Sequence, residues 1–92
     1  MIRSVKGSAT RSFIEGRRSR FRGLDEMLAR QRLAELNAAP SLAALSPLRS
    51  VGLHKLKGNR ARFWATNVNG PWRIVFRFDD GNAYEVEIVD YH

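Results

Sequence analysis

The chain ends in three side chains suited to acid–base chemistry, Asp90, Tyr91 and His92. Histidine is the residue type that exchanges protons most readily near neutral pH. The other histidine, His54, lies in a basic segment, residues 53–58. Chain ends are usually frayed and rarely carry such a concentration of titratable groups. If the fold brings the two segments together, they would supply a general acid, a general base and a phosphate-binding charge in one place.

Residues of these types could cleave RNA by attack of its own 2′-hydroxyl group on the adjacent phosphate. That reaction needs a base to remove the 2′ proton, cations to stabilise the charged transition state and an acid to protonate the leaving 5′-oxygen. His54 and His92 could transfer the protons, and Lys57 and Arg73 could supply the charge.

The two residues before His92 have supporting roles in this scheme. Asp90 could orient a histidine or accept a proton, and Tyr91 could stack on a base or donate a hydrogen bond. From composition alone, the commoner case is a basic module that binds RNA without cutting it, whose histidines are ordinary surface residues.

The chain is strongly basic, and its charge is unevenly distributed. Sixteen Lys and Arg residues stand against nine Asp and Glu residues, a net charge of +7. Residues 1–62 carry a net charge of +10, and residues 63–92 carry −3. Thirteen of the basic residues are arginine, which suits bidentate contact with phosphate. This favours nucleic acid or another polyanion as a partner; an acidic protein partner and a merely solvated surface are the alternatives.

The composition excludes several functions. The chain has no cysteine, which rules out disulfides, thiolate metal sites and a cysteine nucleophile. The histidines and carboxylates show no metal-ligand spacing, so we expect no metal and no other cofactor. No apolar run approaches the roughly 20 residues of a membrane span, and the first residues do not resemble a signal peptide. We therefore expect a cytoplasmic protein without membrane contact.

Hydrophobic periodicity divides the chain, which we expect to form one domain over residues 1–92, into helical and strand segments. The predicted helical segments are residues 8–15, 24–38 and 41–45. The predicted strands are residues 2–6, 60–68, 72–78 and 84–89. This order predicts an α+β fold: an N-terminal strand, two main helices and a short third helical turn packed on a small, mainly antiparallel twisted sheet.

Capping preferences predict where the helices begin and end. Ser8 should cap the first helix and Gly16 should end it, and Ser41 should cap the third, with Pro47 beyond its end. The apolar residues of the long helix fall in two arcs, so we expect it to pack on two neighbours. The arcs are Leu24, Met27 and Leu28, and Ala29, Leu33 and Leu36.

Between the first two helices lies a basic connector, residues 17–23, in which four arginines surround Ser19 and Phe21. A solvated loop and a direct contact with RNA explain this composition equally well.

The alternation of apolar residues also predicts how the strands pair. Asn69-Gly70 suits a two-residue hairpin turn. That turn sets Phe63 opposite Phe76 and Ala65 opposite Ile74, with both pairs on the core face.

The second hairpin is expected to have a longer loop. A two-residue turn at Asp80-Gly81 would place Phe76 opposite Glu85. A three-residue loop over residues 80–82 instead matches Phe76 with Val86 and Ile74 with Ile88. A slip of one residue would turn the whole apolar set to the wrong face, so we predict the three-residue loop.

With these registers, the face of the sheet away from the core carries several arginines. Arg62 lies opposite Arg77, and Arg77 lies opposite Glu85. Arg73 lies on the same face, diagonal to Tyr91. The face is either a groove in which Arg62, Arg73 and Arg77 bind RNA phosphates or a salt-bridged surface exposed to solvent.

Strict alternation places Tyr91 on the face of Arg73 but Asp90 and His92 on the opposite face. The last strand must therefore twist or end near Val89 for the three terminal residues to converge. A catalytic site also requires these residues to be ordered, with His92 turned toward Arg73.

Four segments of the chain, in order, resemble one known family. They are Leu53-His54-Lys55-Leu56-Lys57-Gly58-Asn59-Arg60 with Phe63-Trp64, then Asn69-Gly70-Pro71-Trp72-Arg73-Ile74-Val75-Phe76, then Gly81-Asn82-Ala83-Tyr84, and Asp90-Tyr91-His92. Together they are similar to the HigB toxins, members of the RelE-like (RelE/ParE) superfamily of bacterial type II toxin–antitoxin systems. The ordered likeness covers residues 53–92.

This resemblance implies a RelE-like microbial ribonuclease fold and a ribosome-dependent, metal-independent endoribonuclease. Such a toxin enters the ribosomal A site, beside the 30S ribosomal RNA, and cuts the mRNA codon there, which inhibits translation. A HigA-type helix-turn-helix antitoxin would be its partner and would make any contact with operator DNA indirect. The implied site residues are His54, Lys57, Arg73, Asp90, Tyr91 and His92.

Two other functions remain open at this stage. One is a non-catalytic basic module that binds RNA or the ribosome. The other is a toxin homologue that has lost its activity and persists as the partner of an antitoxin or repressor.

Overall fold

The computed structural model describes residues 1–45 and 52–91, which form two α-helices and a four-stranded sheet. The elements are α1 (Ser8–Ile14), α2 (Glu26–Ala38), β1 (His54–Lys55), β2 (Phe63–Asn67), β3 (Trp72–Asp79) and β4 (Asn82–Asp90). Neighbouring strands are antiparallel, in the order β1-β2-β3-β4. Within the described residues, no helix has the length and apolar character needed to cross a membrane. The predicted α+β fold is confirmed.

One face of the sheet is buried against the two helices. Alternate residues of β3 and β4 pack with α1 and with one side of α2. The residues at this contact are Phe13, Ala29, Leu33, Leu36, Ile74, Phe76, Val86 and Ile88. Full burial of a large apolar side chain contributes about 1.5–3 kcal/mol. The expectation that α2 packs through a second complete arc is wrong at Met27, which is 84% exposed.

The two helices begin with different N-caps. Asp25 caps α2, because its Oδ1 accepts a hydrogen bond from the Leu28 amide at 3.1 Å. The helix therefore starts at Glu26, two residues later than predicted. Gly7 occupies the cap position of α1 with a φ of 86°, a conformation that favours glycine, and no side chain caps the helix. The predicted Ser8 cap is wrong.

A short 3-10 turn at residues 43–45 follows α2, as predicted. The Oγ of Ser41 accepts a hydrogen bond from the Ala44 amide at 3.3 Å, which confirms the expected cap. Pro47, expected beyond this turn, lies outside the described residues.

The second predicted strand is shorter than expected. Gly58–Arg60 forms a 3-10 turn, so β2 begins only at Phe63. Arg62 consequently lies in the turn before β2 and not in the sheet.

The N-terminal segment covers the outer edge of β4. Ile2 and Val5 form two separate parallel bridges with Ala83 and Val86, so the predicted opening strand is reduced to these two contacts. The segment also satisfies the backbone N–H and C=O groups of Ala83 and Val86. Because an open strand edge invites pairing with other chains, this cover protects the sheet.

The β2–β3 turn (residues 69–71) holds three residues and not the predicted two. The Val68 amide donates to the carbonyl oxygen of Trp72 at 3.0 Å, which closes the turn around Pro71. A closed two-residue turn at Asn69-Gly70 would need a backbone N–H at residue 71, and proline has none.

This longer turn shifts the strand pairing by one residue. The observed pairs are Phe63–Arg77, Trp64–Phe76, Ala65–Val75, Thr66–Ile74 and Asn67–Arg73. The predicted Phe63–Phe76 and Ala65–Ile74 pairs are therefore wrong. Ala65 and Val75 instead lie on the face away from the helices, and both are buried.

The second hairpin has the predicted register only beyond a bulge, and the predicted Phe76–Val86 pair is not among its strand pairs. Its turn has only two residues, Asp80-Gly81, with φ angles of 48° and 79°, so the predicted three-residue loop is wrong. Ile74 nevertheless pairs with Ile88, as predicted. A β-bulge in the middle of β4, where Glu85 has a φ of 53°, supplies the extra residue.

The hydroxyl of Thr10 joins α1 to the sheet, and a substitution can test this contact. Thr10 is buried, and its Oγ1 accepts a hydrogen bond from the Ile88 amide at 3.1 Å. Thr10→Val should lower the free energy of unfolding by about 1–3 kcal/mol, because a buried N–H loses its acceptor. Urea denaturation measures this change.

Thr66→Val is the matched control. Thr66 is also buried, but its hydroxyl has no hydrogen-bond partner among the described residues. The same substitution there should leave the free energy of unfolding unchanged or raise it. Equal losses in the two variants would contradict the role given to Thr10.

Candidate active site on the outer face of the sheet

We call the face of the sheet opposite the helices the outer face; it carries His54, Arg73 and Arg77. Residues paired across strands point to the same face, and His54 pairs with Ala65, which pairs with Val75. Arg73 and Arg77 lie two residues to either side of Val75 and share its face. Because Ala65 and Val75 are buried, the charged side chains surround a small apolar floor.

His54 is exposed on β1, and one of its ring nitrogens is fixed. Nδ1 lies 2.6 Å from the carbonyl oxygen of Gly52. A carbonyl oxygen can only accept a hydrogen bond, so Nδ1 carries the proton and the neutral ring keeps its lone pair on Nε2. Only glycine fits at position 52, which supplies this carbonyl oxygen, because a Cβ there would collide with the Asn67 side chain. Nε2 is therefore the nitrogen that can accept a proton from a substrate.

Arg73 is half-buried and is held by the β2–β3 turn. Its Nη1 donates to the carbonyl oxygens of Gly70 at 2.8 Å and Trp72 at 2.9 Å. A guanidinium group has five N–H donors, so the two bonds leave donors for a phosphate. Both acceptors are uncharged, and they fix the side chain without neutralising it.

The end of the chain is joined to the same turn. The Tyr91 amide donates to the carbonyl oxygen of Pro71 at 2.7 Å. Pro71 has no N–H to return the bond, so β4 ends at Asp90, which lies opposite Trp72. Asp90 is exposed, and Tyr91 is 38% exposed. His92, and the expectation that it turns toward Arg73, lie outside the described residues.

Not all of the expected site residues lie on the outer face, because Asp90 pairs with Trp72 and so shares the helical side of the sheet. Arg73 and Tyr91 lie together at the β2–β3 turn. Two strand spacings of about 4.8 Å and two residue steps of about 3.4 Å separate His54 from Arg73, or about 12 Å between Cα atoms in a regular sheet. Lys57 follows β1 toward the opposite end of the sheet, where Arg62 also lies, and both are exposed.

At that opposite end, Arg77 is engaged with other side chains. Its Nε lies 3.5 Å from Oε2 of Glu85, and its guanidinium lies 4.6 Å from the centre of the Tyr84 ring. In the sheet Arg77 pairs with Phe63 and Tyr84. The prediction that it lies opposite Arg62 is wrong, and so is direct pairing with Glu85, although the two form an ion pair.

The described residues, 1–45 and 52–91, contain no group of three or more His, Asp or Glu side chains that could hold a metal ion. His54 and Asp90 lie on β1 and at the end of β4, the two outermost strands of the sheet.

Sequence reasoning missed two residues that position this site. The Asn69 side chain donates to the carbonyl oxygen of Gly23 at 2.8 Å and accepts from the Asp25 amide at 2.7 Å. The Trp72 indole donates to the carbonyl oxygen of Arg22 at 3.0 Å. The side-chain types could have indicated this role, because an amide and an indole beside a turn both need hydrogen-bond partners.

A four-stranded antiparallel sheet with both helices on one face and basic residues on the other has the architecture of a RelE-like toxin. The chain belongs to the HigB-like toxin family. The family model, described as the RelE-like toxin of the type II toxin–antitoxin system HigB, matches residues 11–92. Membership of this family implies an antitoxin partner.

One relative can be compared directly. The chain is 48% identical over 40 residues to the Endoribonuclease HigB of Proteus vulgaris. The match covers 44% of this chain and 44% of the relative, so it spans less than half of that protein. The resemblance to the HigB toxins in the sequence is thus confirmed at the level of the family.

The hydrogen bond to Gly52 predicts the tautomer of His54. In the neutral ring the proton should reside on Nδ1, because the carbonyl oxygen at 2.6 Å requires a donor. Nitrogen-15 chemical shifts of the His54 ring, recorded above its titration range, distinguish the two tautomers. A ring protonated mainly on Nε2 would contradict the assignment of Nε2 as the proton acceptor.

Proposed function

We propose that this toxin is an endoribonuclease that cleaves mRNA in the ribosomal A site and so inhibits translation. One observation carries the proposal: the outer face presents the Nε2 lone pair of His54 and the un-neutralised charge of Arg73 on one sheet. Proton transfer and charge stabilisation are what cleavage by a 2′-hydroxyl requires. The name of the Proteus vulgaris relative also supports an endoribonuclease activity.

In the proposed reaction the scissile phosphate lies over the apolar floor between His54 and Arg73. Nε2 of His54 takes the 2′-hydroxyl proton as the 2′-oxygen attacks phosphorus, and Arg73 stabilises the charge of the phosphorane. An acid at the chain end then protonates the 5′-oxygen: either His92, or Asp90, whose side chain must turn toward the outer face from the helical side that it shares with Trp72. The P–O5′ bond breaks, which leaves a 2′,3′-cyclic phosphate on one product and a 5′-hydroxyl on the other.

The remaining candidates contact the nucleotides on either side. Tyr91 stacks on a base beside Arg73, while Lys57, Arg62 and Arg77 contact flanking phosphates at the other end of the outer face. To bind RNA, Arg77 must break its ion pair with Glu85 and contact a phosphate instead. A partly exposed ion pair of this kind contributes only about 0–1 kcal/mol, so the exchange costs little.

The proposed partners follow from this activity and from the family. They are mRNA and 30S ribosomal RNA at the A site in the cytoplasm, and a HigA-type helix-turn-helix antitoxin. Operator DNA is contacted through the antitoxin.

A second function is favoured by the distribution of the candidates along the sheet. Residues spaced about 12 Å apart, as His54 and Arg73 are in a regular sheet, suit a non-catalytic module that lays a single strand of RNA across the outer face. Such a module binds RNA without any role for the 2′-hydroxyl or for the histidines.

A purified translation reaction with a defined codon in the A site tests the proposal. Wild-type protein should cleave mRNA on programmed ribosomes and leave bare RNA intact. A 2′-deoxy nucleotide at the scissile position should abolish cleavage, because it removes the nucleophile. Binding without cleavage would favour the non-catalytic module.

Arg73→Ala should reduce the cleavage rate in the same reaction by about 10²–10³-fold, because the transition state loses a fixed cation. Arg11→Ala removes the same charge from α1 and should leave the rate unchanged. Equal rates for the two variants would contradict the role of Arg73. Growth arrest on expression, relieved by Arg73→Ala, gives the corresponding test in cells.

A further inference from the structure

The basic connector, residues 17–23, has two arginines whose charge nothing in the described structure uses. Arg17 lies 3.4 Å from Glu15, and Arg20 donates to the hydroxyl of Ser8 at 3.2 Å. Arg18 and Arg22 are exposed, and their guanidinium groups have no partner among the described residues. Both guanidinium groups are therefore available to bind an anion.

Aromatic packing holds the connector against the body of the molecule. Phe21, in its middle, is half-buried. Its ring makes edge-to-face contacts with Phe13 of α1 at 6.1 Å and with Trp72 of β3 at 5.4 Å between ring centres. Each such contact contributes about 0.5–1.5 kcal/mol beyond the area it buries. The arginines on either side of Phe21 are therefore presented from a fixed backbone.

Three hydrogen bonds join residues 22–25, the end of the connector and the cap of α2, to the β2–β3 turn and the first residue of β3. The Trp72 indole bonds to the carbonyl oxygen of Arg22, and the Asn69 side chain bonds both to Gly23 and to the Asp25 amide.

The same turn also anchors two of the candidate site residues, Arg73 and Tyr91. The Gly70 carbonyl oxygen anchors Arg73, and the Pro71 carbonyl oxygen anchors the Tyr91 amide. Trp72 points to the helical side of the sheet and Arg73 to the outer face, since they are neighbours in one strand. The connector and Arg73 are thus joined to the same turn at one end of the sheet.

We propose that Arg18 and Arg22 bind phosphates of the substrate mRNA beyond the scissile one. The strand then passes from Arg73 over the β2–β3 turn to the connector. This rests on the proposed function, in that the substrate is RNA. The turn that the connector shares with Arg73 favours the substrate strand as the occupant, and arginine suits bidentate contact with its phosphates.

The test measures binding of full-length protein to two ribosome complexes. One carries an mRNA that extends through the A site, with a 2′-deoxy nucleotide at the scissile position to prevent cleavage. The other carries an mRNA that ends in the P site. Arg18→Gln/Arg22→Gln is compared with Lys6→Gln/Arg11→Gln, which removes the same charge from exposed positions outside the connector.

The connector variant should bind the extended complex about tenfold more weakly than wild type and the truncated complex with unchanged affinity. For the extended complex, its slope of log affinity against log salt should fall by about 1.4, or about 0.7 for each phosphate of single-stranded RNA that the variant leaves without an arginine. The control variant should shift both complexes equally and by less.

Two outcomes would overturn the inference alone. Equal weakening on both complexes would place the connector on ribosomal RNA, and weakening no greater than that of the control would make it a solvated surface. Cleavage of all-ribose mRNA is measured alongside. Loss of cleavage with connector-dependent binding intact would overturn the proposed reaction and keep the inference, whereas a wild type that binds neither complex would overturn both.

Discussion

Pro71 cannot donate a backbone hydrogen bond, and the positions of Arg73 and Tyr91 follow from this constraint. It lengthens the β2–β3 turn to three residues, so Arg73 pairs with Asn67 and the buried Ala65–Val75 pair forms the floor of the outer face. The Pro71 carbonyl oxygen accepts a hydrogen bond from the Tyr91 amide. The Gly70 carbonyl oxygen of the turn also accepts a hydrogen bond from Arg73, and the Asn69 side chain donates one to the connector. One small loop therefore supports Arg73, the chain end and the basic connector between the helices.

The other hairpin adapts to the same sheet by a compensation within β4. A tight two-residue turn alone would move Ile88 off the core face, and the bulge at Glu85 restores it by inserting one residue. The register beyond the bulge pairs Arg73 with Val89. The bulge therefore decides which residue of the chain end meets the β2–β3 turn, and it makes Asp90 the partner of Trp72.

Hydrophobic alternation predicted the strands β3 and β4, the two helices and the shared face of Arg73 and Arg77, because burial acts on every second or every third to fourth residue. It predicted the wrong turn length at Asn69-Gly70 and at Asp80-Gly81. The alternation of apolar residues shows neither that Pro71 lacks a backbone N–H nor that β4 contains a bulge. Hydrophobic alternation also could not predict how the connector is anchored. Trp72 and Arg22 are joined by a hydrogen bond across 50 positions of the chain, and no local pattern records such a contact. The order of the strands decides how far His54 lies from Arg73, and residue types alone do not specify it.

Hydrogen exchange in Asn69→Ala tests most directly whether the β2–β3 turn is a shared support. The substitution removes both side-chain bonds to the connector and to the start of α2. We expect faster exchange at the Asp25 amide and at the Tyr91 amide together, because loosening the turn also moves Pro71. The Ile88 amide, held by Thr10, should exchange as in the wild type. Faster exchange at Asp25 with unchanged protection of Tyr91 would contradict the shared role of the turn.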